Sequence, residues 1–346
     1  MIRKLPVVSS VFGWGDIADA LRGQGDPEVR AEFSSQLAEF LHAPAVYLTS
    51  SGIAALFVVL KTLSTQSGRR EVILPAYTAG SLVIAVRKAG LIPVLCDITL
   101  DDFNLDSSCL FNLVCDRTLA VIGVHMFGVA MNSTPALANG LPADVFFVED
   151  CAQAMGSTIQ GKPVGSFGHI SFFSFNRGKN LPLYAGGCVT VGDERLARRI
   201  GSVCREHVRR AGRYSWLSVF LKACAFSLAT HPAVYGMGYT LISRFKQRKP
   251  AEDFSVREMT SFQAALGSLL MKRVREMDIQ RHENGEYLLR CLSGEKDIVL
   301  ARPLPKSTTV FNRFPVLFKD AQRIESVHKR LWAAGIESSR MYEVPL

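Results

Sequence analysis

Two residues with the chemistry of a catalytic pair each follow a short apolar run. Lys179 ends the stretch Ser171-Phe-Phe-Ser-Phe-Asn-Arg-Gly-Lys179, and Asp150 ends the stretch Val145-Phe-Phe-Val-Glu-Asp150. A lysine amine can form a Schiff base with an aldehyde cofactor, and a carboxylate can keep a pyridine nitrogen protonated. Taken singly, a solvated lysine or a capping aspartate would be the ordinary interpretation. Together they predict pyridoxal 5′-phosphate (PLP) chemistry, with Lys179 as the catalytic residue.

A second set of residues is suited to binding the rest of such a cofactor. Ser51, Gly52 and Ile53 lie where an apolar run passes into a helical pattern. The free backbone N–H groups and the dipole of a helix start attract phosphate, and glycine permits close approach. Ser174 could add a hydroxyl to the same phosphate, and Gln153 could contact the ring hydroxyl oxygen. An ordinary helix cap and an ordinary polar residue remain the alternatives.

Short apolar runs alternate with helical patterns over the first two thirds of the chain. This alternation predicts an α/β fold with a mostly parallel seven-stranded sheet and helices on both faces. The predicted strands are residues 46–48, 72–74, 92–97, 119–124, 145–148, 169–175 and 187–191.

The remainder of the chain has a different pattern and predicts a smaller C-terminal α+β domain. We expect one long helix over 262–289, a strand over 309–318, and a helix over 321–334 that ends at Gly335. Near the N-terminus, Asp26 is expected to cap a helix. The predicted organisation is a large domain over 1–203, an insert over 204–253, and a dimer-contact helix with the small domain over 254–346.

Composition indicates a globular protein, with 48% hydrophobic and 21% charged residues. The eight cysteines include no CxxC pair and no metal-like cluster, so we expect no metal site. The N-terminus shows no signal peptide, which together with the cysteine pattern predicts a cytoplasmic protein, at most at the inner face of the membrane.

The positive charge is concentrated in the insert and the helix before it. Of the net charge of +9, residues 195–249 carry twelve Lys or Arg against one acid, which is +11. Residues 223–243 contain no charged side chain. A membrane span is disfavoured by the proline within this stretch. Two interpretations stay open, a helical hairpin over 209–249 on an anionic membrane surface and a hairpin packed on the protein or its dimer mate. No nucleic-acid motif accompanies the charge.

The chain resembles the PLP-dependent nucleotide-sugar aminotransferases of the DegT family, which have fold type I. Eight segments in register carry the resemblance: 50–56, 73–78, 93–98 with 104–106, 124–128, 148–153, 165–168, 173–175 with 179–181, and 263–267. The resemblance implies that Lys179 holds PLP and moves the proton, and that Asp150 pairs with the pyridinium. It implies that Gln153 contacts the ring oxygen, while Ser174, Ser51 and the amides of Gly52 and Ile53 bind the phosphate.

The resemblance also implies a homodimer that transfers an amino group, with L-glutamate as donor and a keto nucleotide sugar as acceptor, for polysaccharide or glycoconjugate biosynthesis. Several positions depart from the family pattern. Ile53 replaces a threonine, Ala79 replaces a stacking aromatic residue for which Tyr77 could compensate, and Tyr184 and Ala185 replace a glycine and an acid. The small domain is shorter than in relatives and could be incomplete.

Two other functions remain open from the sequence. One is a PLP-dependent sugar dehydratase, against which Lys179 argues, because such relatives typically carry histidine there. The other is a decayed, membrane-associated relative that acts as a binding partner.

Overall fold

A seven-stranded sheet organises the chain. The computed structural model describes residues 4–236 and 253–341. The strands are β1 (Ala45–Thr49), β2 (Glu71–Pro75), β3 (Ile92–Cys96), β4 (Thr118–Val124), β5 (Phe146–Asp150), β8 (Ile170–Ser174) and β9 (Gly187–Val191), in the order β1-β9-β8-β5-β4-β2-β3. The contiguous strands β8, β5, β4, β2 and β3 are parallel, whereas β9 is antiparallel to both of its neighbours. The seven predicted strands are therefore confirmed, each to within two residues at its ends.

Helices cover both faces of this sheet. The helices of the described residues are α1 (Trp14–Gly23), α2 (Val29–Phe40), α3 (Gly52–Ser64), α4 (Ser81–Lys88), α5 (Ser107–Leu113), α6 (Thr134–Gly140), α7 (Glu194–His207), α8 (Ser215–Ala229), α9 (Ser261–Met271), α10 (Val274–Leu292) and α11 (Gln322–Ala333). Short strands complete the structure: β6 (Thr158–Ile159), β7 (Lys162–Pro163), β10 (Ile298–Leu300), β11 (Ser307–Thr308) and β12 (Val316–Phe318).

Two apolar layers hold the helices against the sheet. On one side α3 is buried along almost its whole length, from Ala54 to Leu63, against the sheet, α4 and α7. On the other side α2 and α9 pack together around Phe33 and Phe262, which are fully buried. Burying a side chain of this size contributes about 1.5–3 kcal/mol. Every residue of β4 is buried because the strand is covered on both faces. Burial on both faces also explains why the sequence of this strand is almost continuously apolar.

Three sequence predictions outside the central sheet were wrong in detail. The long helix predicted over 262–289 is two helices, because the chain changes direction at Arg273, whose φ is −128° and ψ 7°. The strand predicted over 309–318 is regular only at Val316–Phe318, where it pairs with β10. Asp26 does not cap α2, which begins at Val29; its carboxylate accepts a hydrogen bond from the Glu28 N–H in the preceding turn.

The predicted insert begins within a helix and then packs on the protein body. Helix α7 continues to His207, past the predicted boundary at residue 204. Helix α8 follows and contacts α1 and α9, with Val219 and Ala223 buried. Among the described helices, none has the length and apolar character needed to cross a membrane. The last third of the insert, residues 237–252, lies outside the described residues.

Candidate active site

The register of two parallel strands brings the predicted acid and lysine to the same edge of the sheet. Asp150 ends β5 and pairs with Phe172 of β8, and β8 ends at Ser174, five residues before Lys179. The carboxyl ends of parallel strands are where α/β proteins bind ligands. Asp150 and Lys179 interact electrostatically across this edge. The fold therefore brings the two predicted residues to one edge of the sheet.

The pKa of the Lys179 amine is lowered, which favours its unprotonated, nucleophilic form. Burial of the amine lowers the pKa of Lys179 to about 8, opposed by the charge of Asp150 and assisted by the positive charge of Arg313. The side chain is nonetheless half-buried and reachable from solvent. An unprotonated amine near neutral pH is what attack on an aldehyde requires. Arg313 was not identified from the sequence, since nothing in its local pattern relates it to a residue 134 positions earlier.

Asp150 is a buried carboxylate that lacks a full set of partners within the described residues. It is 4% exposed, and its Oδ1 accepts one hydrogen bond of 2.9 Å from the Ala152 N–H. Burial raises the pKa of Asp150, while Ala152, Lys179 and His125 act in the opposite direction. Such a group is stabilised by a cation that can donate a hydrogen bond. A protonated pyridine nitrogen meets this requirement.

Gln153 leaves a buried polar atom without a partner in the described structure. The residue is 6% exposed, its Nε2 lies 3.2 Å from the sulfur of Met126, and its Oε1 has no hydrogen-bond partner among the described residues. An unsatisfied buried amide oxygen costs about 1–3 kcal/mol. The hydroxyl of a pyridine ring would satisfy this side chain, so Gln153 fits the predicted role.

The predicted phosphate site lies where α3 begins beside the end of β8. Ser51 caps α3 and accepts a hydrogen bond of 3.2 Å from the Ala54 N–H. Gly52 approaches Ser174 so closely that a Cβ on Gly52 would lie 2.6 Å from the Cβ of Ser174. The amides of Gly52 and Ile53 are in the first turn of α3, where backbone N–H groups have no intrahelical acceptor. The glycine, the serine hydroxyl and these amides together fit a phosphate.

Three distant elements hold the loop that carries Lys179. Asn180 donates a hydrogen bond of 2.9 Å to the Met155 carbonyl and accepts one of 2.9 Å from Arg281 of α10. The Asn312 side chain donates a hydrogen bond of 2.6 Å to the Gly178 carbonyl. The sequence analysis missed Arg281 and Asn312, because their role depends on tertiary contacts with residues more than 100 positions away.

The departure at Tyr184, and Tyr77 as the residue that could compensate for Ala79, are both held by specific contacts. Tyr184 adopts a φ of 63°, the conformation for which a glycine is suited, and its ring packs on Phe226 of α8. Its hydroxyl is hydrogen-bonded to Ser10 at 3.0 Å. Tyr77 is half-buried, and its hydroxyl donates a hydrogen bond of 2.9 Å to the Met341 carbonyl.

Beneath the site, His125, Glu149 and Cys151 have donor atoms within 4.8 Å of one another. This group is better described as an internal hydrogen-bond network than as a metal site. Glu149 accepts hydrogen bonds from the His125 ring and from three backbone amides, those of residues 165, 167 and 168. Nδ1 of His125 accepts one from Met131 N–H. These bonds engage the lone pairs of the histidine and the carboxylate that a metal would need.

The fold and the site define a PLP-dependent transferase of fold type I. The model of the DegT/DnrJ/EryC1/StrS aminotransferase family matches residues 24–346, and the chain belongs to this family. The family, the enzyme class of PLP-dependent sugar aminotransferases and the cofactor expected from the sequence are thereby confirmed at the level of the family.

Proteins of known name are similar to this chain in sequence or in fold. The chain is 28% identical to the lipopolysaccharide biosynthesis protein RfbH of Salmonella typhimurium, over 94% of this chain and 72% of the relative. It is 32% identical to GDP-perosamine synthase of Escherichia coli O157:H7, over 49% of this chain and 46% of that enzyme. The fold matches E. coli GDP-4-keto-6-deoxy-D-mannose-3-dehydratase with bound hydrated PLP at a TM-score of 0.76, with 18% identity over 99% of this chain and 86% of that one.

Proposed function

We propose that the protein catalyses PLP-dependent transfer of an amino group from an amino acid, L-glutamate, to a keto nucleotide sugar for polysaccharide or glycoconjugate biosynthesis. The observation that carries this proposal is the pair Lys179 and Asp150 at the ends of adjacent parallel strands. A homodimer and peripheral contact of segment 209–249 with an anionic membrane are parts of the same proposal. GDP-perosamine synthase, a relative by sequence, supports a nucleotide sugar as acceptor.

Each residue of the site has a distinct task in this reaction. Asp150 holds a proton on the ring nitrogen, and Gln153 orients the ring through its hydroxyl. Ser51, Gly52, Ile53 and Ser174 bind the phosphate. When bound, PLP withdraws electrons from the substrate carbon next to the nitrogen.

Lys179 is the residue that moves a proton. Its pKa of about 8 leaves part of the amine unprotonated at neutral pH. The free amine can therefore accept the proton released by the substrate carbon and return it to the carbon on the other side of the nitrogen. A lysine at its ordinary pKa of 10.5 would be almost fully protonated and unable to accept a proton.

Covalent labelling tests the role of Lys179 without any assumption about the substrate. The purified protein loaded with PLP should absorb visible light, and borohydride reduction should leave the cofactor on the peptide that contains Lys179. Lys179→Arg should lose both signals, whereas Lys329→Arg, at a lysine whose side chain is 73% exposed, should keep them. A wild-type protein that takes up no PLP, or attachment at another lysine, contradicts the assignment.

Isotope transfer then separates the proposed reaction from its alternatives. With ¹⁵N-labelled glutamate and a panel of keto nucleotide sugars, an aminotransferase delivers the label to the sugar. A dehydratase, which the structural match to the E. coli enzyme keeps as second candidate, would remove a hydroxyl and leave the sugar without label. A protein that binds PLP but turns over no sugar of the panel would favour a decayed relative that acts as a binding partner.

A further inference from the structure

Helix α8 presents an apolar strip to solvent on the face opposite its packed side. Tyr214, Leu217, Leu221 and Leu228 are exposed by 68%, 40%, 56% and 57%. Their spacing of three, four and seven residues places them along one side of a helix. Lys222 is the charged residue within the strip. We call these five residues the outer face of α8.

The direction of this face is fixed by the packing on the other side. Val219 and Ala223 are buried in the core that α8 shares with α1 and α9. Phe220 makes an edge contact with Phe262 of α9, with ring centroids 5.8 Å apart. Because the inner side is anchored, the outer face cannot turn its leucines inward without breaking these contacts.

The chain segment that contains the outer face is positively charged. Arg209, Arg210 and Arg213 precede α8 and are exposed, and no Asp or Glu occurs between residues 207 and 251. An apolar helical strip that is flanked in the sequence by basic residues and by no acidic ones is typical of a helix that lies in the interface of an anionic bilayer.

We infer that the outer face of α8 docks on an anionic lipid surface, with the leucines among the acyl chains and the arginines on the headgroups. This inference identifies the surface for the membrane contact in the proposed function, and it does not depend on which sugar the enzyme uses. A second copy of the chain is a less suitable partner for this face. Pairing two outer faces would bring the positively charged side chains of both copies together.

The contact differs from the one expected from the sequence. Three aromatic side chains of the insert pack on the protein: Tyr235 is 1% exposed, Phe226 packs on Tyr184, and Phe220 packs on Phe262. The leucines take the exposed positions. Deleting the insert is therefore a poor test, because it would remove buried residues and the contact with Tyr184.

Flotation of the PLP-loaded protein with vesicles tests the inference. Vesicles of equal parts phosphatidylcholine and phosphatidylglycerol should carry the protein upward, and vesicles of phosphatidylcholine alone should carry much less. Leu217→Ser with Leu221→Ser should weaken binding by about tenfold or more, because apolar burial drives insertion. The matched control is Ile279→Ser with Tyr287→Ser on α10, where the residues are 58% and 61% exposed; it should bind as the wild type does.

A second double variant tests how much the basic residues contribute to membrane binding. Arg213→Gln with Lys222→Gln should lower binding to anionic vesicles by about thirtyfold, because two basic residues at about 1 kcal/mol each amount to about 2 kcal/mol, and raised salt should also lower wild-type binding. The visible absorbance of bound PLP should be unchanged in every variant, which shows that the fold is intact and keeps this test separate from that of the reaction. The inference is overturned if the wild-type protein does not float, or if the leucine variants float like the control. It is also overturned if the variants change only the oligomeric mass of the protein in solution and not its flotation.

Discussion

Replacing Asp278 by asparagine should stabilise the protein, and more so at high pH. Asp278 of α10 is 8% exposed, and its Oδ1 lies 3.6 Å from the Arg281 guanidinium without a hydrogen bond to it. Its other oxygen lies so close to Gly156 that a Cβ there would be 2.2 Å away. Burial of the carboxyl raises the pKa of Asp278 to about 7, opposed by the charge of Arg281.

The size and sign of the effect follow from proton linkage. Between its ordinary pKa of 3.8 and about 7, the carboxyl of Asp278 keeps its proton in the folded protein and loses it in the unfolded chain. The free energy of unfolding therefore falls as pH rises through this window and stays low above it. Three pKa units correspond to about 4 kcal/mol, on the order of the total stability of many domains. Asparagine has no proton to lose, so Asp278→Asn should gain about 2 kcal/mol at pH 5 and about 4 kcal/mol at pH 8.

Urea unfolding of the PLP-loaded protein at the two pH values measures this difference. The matched control is Asp116→Asn, where the side chain is 88% exposed and the change should be small at both pH values. Because Arg281 also donates to the carbonyl next to Lys179, the absorbance of bound PLP reports whether the lysine loop has moved. An Asp278→Asn variant whose gain is equal at pH 5 and pH 8, or that is less stable than wild type at pH 8, refutes the reasoning.

Three further substitutions test the site. Gly52→Ala should weaken PLP binding by about tenfold or more in an equilibrium titration, because the new Cβ would displace Ser174; Gly192→Ala, which meets nothing within 4 Å, should not. Asp150→Asn should keep the cofactor on the lysine but slow its reaction with glutamate by at least about tenfold in stopped-flow absorbance, since a charge-assisted hydrogen bond is worth about 1.5–3 kcal/mol. Glu149→Gln should lower the free energy of unfolding by about 3–5 kcal/mol in urea, because it breaks a buried network of four hydrogen bonds. A Glu149→Gln protein as stable as wild type would show that the charge of the network is dispensable.

The sheet could be predicted from sequence because its strands are buried on both faces. Burial of this kind leaves continuous apolar runs, and the turns between them carry glycine or polar residues. The same regularity placed Asp150 and Lys179, since a residue that follows a parallel strand must emerge at the carboxyl edge. Neither prediction required knowledge of long-range contacts.

The supports of the site could not be predicted in this way. Arg281 and Asn312 hold the lysine loop through contacts between residues more than 100 positions apart. The alternation over 309–318 indicated a strand, yet the Val310 N–H instead donates a hydrogen bond to the Ser157 hydroxyl, and the Val310 carbonyl accepts one from the Asn180 side chain. Local patterns report which side of an element is buried but not which loop it contacts, so these roles became visible only in three dimensions.

The insert and the departure at Tyr184 belong to one structural change. A tyrosine at a φ of 63° is strained, and such strain persists only where the surroundings hold the residue in place. Here Phe226 of α8 packs on the ring at 5.6 Å, and the hydroxyls of Ser10 and Ser227 lie 3.0 and 3.4 Å from the phenol oxygen. Arg177, two residues before Lys179, lies over the same Phe226. The helix that carries the proposed membrane face therefore also supports the loop of Lys179, so substitutions on the inner side of α8 should alter PLP binding while those on its outer face should not.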